Sequence, residues 1–461
     1  MSKLRYHIAV MAAKFSKVII RLSGRKGTHT PGVVARKICP DFLAQAPKAP
    51  LCICVTGTNG KTTVANMLTD MLEKEGKKVV SNRAGSNIVP GCTTNLLNSV
   101  NWLGKCRADI TVFEVDERAS RLILPYIKPD YLVVTNLFRD SQKRNAHPDY
   151  IFSVIDTYCP DTTKMILNAD DLCSSQLKPN NEHVFFGIGK LDTDKTEPYN
   201  IVADYTLCPK CGTKLKFNYL RYHHIGNAYC PNCGYKSFDA DYLATKVDIE
   251  NKKMVVREQD GTETEYALIH DALHNIYNEL TVITVLRELG YKTDNVKKCI
   301  DKLHLPELRH SESKFGDISI IQTISKGLNS VGSSRAFDYV AHEPGKKVIM
   351  IAEDDHEDRI KSVEYIGWIY DVDYELFANQ DDIVQIVLCG PRCLDHRVRA
   401  LMAGIPEEKI AYDLDEIAAV DKVQLEGVEK FFILFDCYTD GISNRMKQKL
   451  LKRLEDEKNE E

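Results

Sequence analysis

The stretch VTGTNGKTT, Val55 to Thr63, constrains this chain more than any other. It follows the apolar run LCIC and leads into VANMLTDML, whose apolar residues recur at helical spacing. A strand passing through a glycine turn into a helix is the context a phosphate loop requires. Gly57 and Gly60 let the backbone turn tightly, so that successive N–H groups around Thr58 and Asn59 and the helix N-terminus at Thr63 face a polyphosphate. Lys61 then neutralises β/γ oxygens, and the Thr62 hydroxyl is placed to ligate Mg²⁺. Val55 stands where the strict eight-residue pattern has glycine, so the loop is of the shorter GTNGKT form. A turn that only capped a helix would not need Lys and Thr together at the helix start.

Such a loop belongs to an α/β fold. Strand-like runs alternate with helical stretches from Pro50 onward (LCICVTG, KKVVSN, DITVFEVDE, DYLVVTN, TKMILNADD), which implies a parallel sheet covered by helices. A second alternating series (ISIIQTIS, KKVIMIAED, DIVQIVLCG, FFILFDCY) begins after Pro306. With 461 residues the chain is too long for one core. Three parts are expected: an N-terminal helical or extended segment 1–45, a central domain 46–305, and a C-terminal Rossmann-like domain 306–461. Ligands of open parallel sheets sit at the carboxyl ends of strands. That rule selects Glu114 and Asp116 in TVFEVDE and Asn136 in VVTNLFRD, with Glu114 as the expected second Mg²⁺ ligand.

The central domain is interrupted, at about 204–240, by CPKC and CPNCG, with 18 residues between the two pairs. This C-x₂-C…C-x₂-C spacing is a strong zinc signature, and four thiolates close a tetrahedral shell with no open position. Cys208, Cys211, Cys230 and Cys233 are therefore expected to hold a structural zinc, standing in for the core that a small insert lacks. Fifteen cysteines, four of them in metal-type pairs, point to a reducing, cytoplasmic setting. A net charge of −4 gives no global field for nucleic acid. The insert does carry Lys210, Lys214, Lys216, Arg221 and Lys236 with Tyr219 and Tyr222, a composition that also fits a nucleic-acid-binding ribbon. The basic N-terminal stretch has no cleavage site and is broken by Lys14, so neither a signal peptide nor a spanning helix is expected. Ile8, Met11, Phe15 and Ile19 recur at helical spacing and are expected to pack on the domain, the alternative being a helix resting on an anionic membrane. The charged tail KQKLLKRLEDEKNEE is expected to be a solvated, fraying helix.

GTNGKTT, FEVDE, TNLFRD, LNADD and HNIYN, in this order, resemble the Mur ligase superfamily, whose members form amide bonds through an acyl-phosphate. The resemblance implies a central ATPase domain and places Asn168 and Asp171 near the nucleotide, His274, Asn275 and Asn278 on a helix facing its base and ribose, and Arg309 at the phosphates. Peptide-adding members lack a Cys₄ insert, whereas the MurT family, which amidates the D-glutamate α-carboxylate of lipid II, carries one. GTHTPGVVARKICPDFL and GWIYDVDYE are also similar to that family. It implies ATP, Mg²⁺ and structural Zn²⁺ as cofactors, action at the inner membrane face, and a GatD-type glutamine amidotransferase partner supplying ammonia. Consistently, the chain has no G-x-C-x-G nucleophile elbow of its own. Two segments depart from the family: ISKGLNSVG keeps Lys326 but loses Asn-Pro, and EDDHEDRIKSVEYIGW is about four residues longer. Asp358, then Asp354, best match the aspartate that completes the partner's triad. A Mur-type ligase acting on another carboxylate is the alternative enzyme.

Overall fold

A computed structural model describes residues 3–24, 27–83, 86–139, 147–270, 272–301, 310–325, 329–353, 366–436 and 439–460. The chain divides into two compact units, one drawn mainly from residues up to Leu305 and the other mainly from those after it.

The first unit is built on a nine-stranded sheet ordered β11-β10-β9-β6-β5-β4-β1-β3-β2. Its strands are β1 (Leu51–Thr56), β2 (Val79–Ser81), β3 (Ile110–Glu114), β4 (Tyr131–Val134), β5 (Lys164–Asn168), β6 (His183–Ile188), β9 (Tyr242–Asp248), β10 (Lys253–Arg257) and β11 (Glu263–Ala267). From β2 across to β9 neighbouring strands are parallel, and β10 and β11 close the edge as an antiparallel meander turning at Gly261. Strands covered on both faces must be apolar throughout, which is why β1 and β3 read as unbroken hydrophobic runs. The chain fills β1 first, then both strands on one side of it, before crossing to β4 on the other. The carboxyl ends of β3, β1, β4 and β5 therefore meet at the point where strand order reverses. Between β6 and β9 the chain leaves the sheet for a two-stranded hairpin, β7 (Lys216–Tyr222) and β8 (Ile225–Tyr229).

The first helix, Lys3–Leu22, packs by Tyr6, Ala9, Val10 and Ala13. This reverses the expected face: Ile8, Met11, Phe15 and Ile19 point outward, each at least half exposed. Periodicity identifies a stripe but not what covers it, and here small alanines allow a closer approach to the helix Thr30–Ile38 than the large side chains would.

The second unit holds a six-stranded sheet ordered β12-β13-β17-β14-β15-β16, comprising β12 (His310–Phe315), β13 (Ile318–Ile324), β14 (Lys347–Ala352), β15 (Ile383–Cys389), β16 (Ile410–Asp413) and β17 (Lys430–Phe435). All neighbours are parallel except β12 against β13. The tail also differs from expectation. In the helix Asp440–Glu460, Met446, Leu450 and Leu454 recur every four residues and are buried against β17 and its neighbours. The charges that suggested a solvated tail occupy its other side. Leu450→Ala is expected to cost about 2–5 kcal/mol of unfolding free energy in denaturant titration, as for a core leucine, against under about 0.5 kcal/mol for a solvated tail.

Candidate functional site

The loop between β1 and the helix Lys61–Lys74 is held in shape by β4. Asn136 brackets Asn59, its Oδ1 accepting from Asn59 N at 3.0 Å and its Nδ2 donating to Asn59 O at 3.1 Å. The Thr135 hydroxyl donates to the same carbonyl at 2.6 Å, Thr58 N donates to Asn136 O at 2.8 Å, and Phe138 N donates to Thr58 Oγ1 at 2.9 Å. Both glycines are required. Gly57 has φ +129° and a Cβ there would meet Thr135 Oγ1 at 2.3 Å; Gly60 has φ +85° and a Cβ would meet Asn278 Oδ1 at 2.2 Å. At Gly57 the left-handed φ is joined by the Asn136 carbonyl 2.8 Å from a Cβ, which leaves no room for a side chain; at Gly60 the φ is strained for any other residue and a methyl would displace the Asn278 amide.

Lys61 folds back over this loop. Its ammonium lies 2.8 Å from Glu117 Oε1 and also donates to the carbonyls of Gly57 and Thr58. Glu117, only 3 % exposed, is thus the carboxylate beside the lysine. It is the last residue of FEVDE, whereas the strand-end rule selects Glu114 and Asp116. Glu114 ends β3 and its Oε1 accepts from Asn87 Nδ2 at 3.0 Å. Asp116 accepts from the N–H groups of Arg118 and Ala119, which makes it a turn-capping residue. Thr62, second in the helix, is exposed, so its hydroxyl is open to a ligand.

Helix Leu273–Glu288 brings Asn278 against Gly60, with Asn275 one turn earlier and His274 beside it. Burial pushes the Glu279 carboxyl up to about 8, so the group next to Asn278 is uncharged at neutral pH. Asn168 and Asp171, at the end of β5, are buried and face inward. Asn168 Oδ1 accepts from Asp170 N at 3.0 Å, whereas Asp171 accepts from Leu137 N at 2.7 Å, Ser174 Oγ at 2.7 Å and Cys173 N at 2.8 Å. With its oxygens so engaged, Asp171 supports the loop after β4 rather than offering lone pairs to a ligand.

The four cysteine sulfurs lie within 4.8 Å of one another, with Cys208–Cys233 and Cys211–Cys230 both at 3.5 Å. A tetrahedral zinc with Zn–S of about 2.3 Å needs sulfurs about 3.8 Å apart, so the donor set fits. Each knuckle reads C-P-x-C-G, and the glycines, Gly212 and Gly234, turn the chain at φ +71° and +73°. The insert does have a core, correcting the expectation: Leu215, Phe217, Leu220, Ala228 and Tyr235 pack with Leu172 of the main domain. Its hairpin is tied down by Arg221, which is 5 % exposed and bonds Asp170 Oδ2 at 2.8 Å and Ile188 O at 2.7 Å. Tyr277 and Tyr219 hydroxyls donate to the same Asp170 carboxylate at 2.6 and 2.8 Å. At the hairpin tip, the rings of Tyr222 and His224 lie 5.9 and 4.6 Å from that of Phe138. Arg221 and Tyr222 are therefore buried in the domain, and Tyr219 spends its hydroxyl there, which removes the arginine and both aromatics from the nucleic-acid reading.

Arg309, Asp354 and Asp358, and also Lys326, lie outside the described residues. In the second unit the carboxyl ends of β13, β14 and β17 place Ser325, Glu353 and Asp436, all buried. Ser333 Oγ donates to Glu353 Oε2 at 2.6 Å, and burial pushes that carboxyl up to about 7.

The model of the Mur ligase middle domain matches residues 55–229, and that of the MurT ligase C-terminal domain matches residues 327–440. The MurT subunit of lipid II isoglutaminyl synthase (glutamine-hydrolyzing) from Streptococcus pneumoniae is 29 % identical over 413 residues, covering 88 % of this chain and 89 % of that protein. Its counterpart from Staphylococcus aureus is 27 % identical over 404 residues, covering 87 % and 89 %. Among solved structures, a pseudomurein peptide ligase type C from Methanothermus fervidus shares the fold with a TM-score of 0.68 at 17 % identity, covering 89 % of this chain and 81 % of that one.

Two outcomes follow from the geometry. Gly60→Ala should leave a folded protein that has lost at least about tenfold in ATP affinity, measured calorimetrically, because the added methyl collides with Asn278. Metal analysis of the purified chain should return one zinc, and Cys208→Ser together with Cys230→Ser should abolish it.

Proposed function

We propose that the chain is an ATP-dependent ligase of the MurT branch of the Mur ligase superfamily and that it amidates the α-carboxylate of D-glutamate in the lipid II stem peptide, giving D-isoglutamine. The observation that carries this reading is a Cys₄ hairpin inserted between β6 and β9 of a phosphate-loop sheet, the combination that separates amidating from peptide-adding members.

A carboxylate is a poor electrophile and its oxygen a poor leaving group. Transfer of the γ-phosphoryl of ATP to that oxygen gives an acyl-phosphate. The nitrogen lone pair of ammonia then attacks the acyl carbon, the C–O bond to phosphate breaks, and a proton leaves the nitrogen. Little covalent chemistry falls to the protein, which positions and neutralises. The N–H groups of the Gly57–Thr63 loop cradle the polyphosphate, Lys61 turns from Glu117 to the β/γ oxygens, and Arg309 is assigned to the phosphates by the family resemblance alone. Thr62 and Glu114 would hold Mg²⁺, whose chemistry would be further positive charge against the transferred phosphoryl. Asn136 keeps the loop in register, while His274, Asn275 and Asn278 line the base and ribose side. Glu117 holds Lys61 extended across the loop until a nucleotide competes for it.

The chain has no glutaminase elbow, so ammonia comes from a GatD-type partner subunit, and Asp358 or Asp354 serves that partner's triad. Among the described residues no helix is long and apolar enough to cross a membrane. A lipid-linked substrate places the work at the inner membrane face. Lys61→Ala should lower glutamine-dependent amidation of lipid II by about a hundredfold or more while zinc content stays unchanged. An unaltered rate would sink the catalytic reading.

A further inference from the structure

The first helix has two opposite faces, and among the described residues only one is covered. Tyr6, Ala9, Val10 and Ala13 enter the core, whereas Leu4, Ile8, Met11, Phe15, Ile19 and Leu22 form a continuous stripe at 50–84 % exposure. Six large apolar residues in one exposed stripe are unusual on a soluble surface and mark an interaction site. Beside the helix, the turn after Val100 adds Trp102 at 52 % and Leu103 at 70 % exposure, with the Lys14 ammonium 5.6 Å from the Trp102 ring centroid.

Charge identifies the occupant. The helix carries Lys3, Arg5, Lys14, Lys17 and Arg21 and no acid. The first 40 residues hold nine Lys or Arg and no Asp or Glu, although the remaining 421 hold 52 basic and 65 acidic residues. Positive charge is thus concentrated on the element that bears the apolar stripe. Lys14, Lys17 and Arg21 recur at helical spacing along one flank of the stripe, and among the described residues no carboxylate pairs with them. Next to them lies a cavity of about 360 Å³ lined by Lys17, Arg21, Thr28, Thr94, Asn95 and Asn98, with donors suited to an anion. Burial and the neighbouring Arg21 and Lys14 charges lower the Lys17 pKa, as in a cation cluster lacking its counter-charge.

We infer that the helix Lys3–Leu22 lies flat on an anionic lipid bilayer, its Leu4-to-Leu22 stripe and Trp102–Leu103 entering the headgroup boundary and the Lys17–Arg21 cavity taking a lipid phosphate. An amphipathic helix with large apolar residues on one face and basic flanks binds in this way, and exposed tryptophan favours the same depth. Basic residues at the edge of the stripe reach the headgroups while their stems stay apolar. Such a seat would hold the chain beside a lipid-linked substrate, but the inference rests on the surface alone.

The test is co-sedimentation of the full chain with vesicles of phosphatidylcholine, with and without phosphatidylglycerol, in the absence of nucleotide, muropeptide and partner, so that it stands or fails apart from the amidation reading. The chain should partition onto the phosphatidylglycerol vesicles, less onto pure phosphatidylcholine, and progressively less as salt is raised. Phe15→Glu with Ile19→Glu, two exposed positions, should cut partitioning at least about tenfold and leave zinc content and thermal unfolding as in the wild type. Lys17→Glu with Arg21→Glu should remove the preference for phosphatidylglycerol. Failure of the wild type to bind, or equal binding by the Phe15/Ile19 variant, overturns the inference. So does a concentration-dependent dimer, seen by light scattering, that this variant abolishes, since the face would then belong to a second copy.

Discussion

Two adjacent buried carboxylates at the end of β5 tie the first unit together. Asp170 collects Arg221 and Tyr219 from the cysteine hairpin, Tyr277 from the helix that also carries Asn278, and the backbone N–H of Ile188 at the end of β6. Asp171 collects the N–H of Leu137, one residue before the Phe138 that donates to Thr58 in the phosphate loop. A buried ion pair is not in itself a large source of stability, because desolvation offsets much of its attraction. Removing one partner leaves an uncompensated charge costing about 3–5 kcal/mol, so such a pair enforces one arrangement over its alternatives. Here the arrangement enforced is that of three segments, distant in sequence, around one strand end.

This places the cysteine hairpin in a different light from that of a detached ornament. The four cysteines sit at one end of β7 and β8, while the other end, Tyr222 to His224, packs on Phe138. Zinc held by these thiolates would order a hairpin whose tip backs the Gly57–Thr63 loop. Under the proposed function the cysteines do no chemistry, and a metal held there would support the element on which the chemistry rests.

Much of the site was legible because its signals are local. GTNGKTT encodes its own turn through Gly57 and Gly60, and the two C-P-x-C-G knuckles encode theirs through Gly212 and Gly234. Parallel strands announced themselves as apolar runs. What escaped was everything decided by distant partners. Glu114 and Glu117 stand three residues apart and look alike in sequence; only the turn after β3 decides that Glu117 meets Lys61. Arg221 reads as a surface charge until Asp170, 51 residues earlier, is seen to bury it. The first helix turns its large apolar stripe outward and the last helix, expected to be solvated, buries Met446, Leu450 and Leu454 for a related reason, since periodicity shows that a helix has a stripe and only tertiary packing shows where it points.

The central claim is that phosphate transfer onto a carboxylate precedes amide formation, with the loop at the β1 end holding the nucleotide. The most direct measurement uses substrate whose D-glutamate α-carboxylate carries oxygen-18, turned over with ATP and ammonia, followed by mass analysis of the inorganic phosphate released. If the acyl-phosphate forms, one labelled oxygen leaves with each phosphate. Amide product accompanied by unlabelled phosphate would contradict the account.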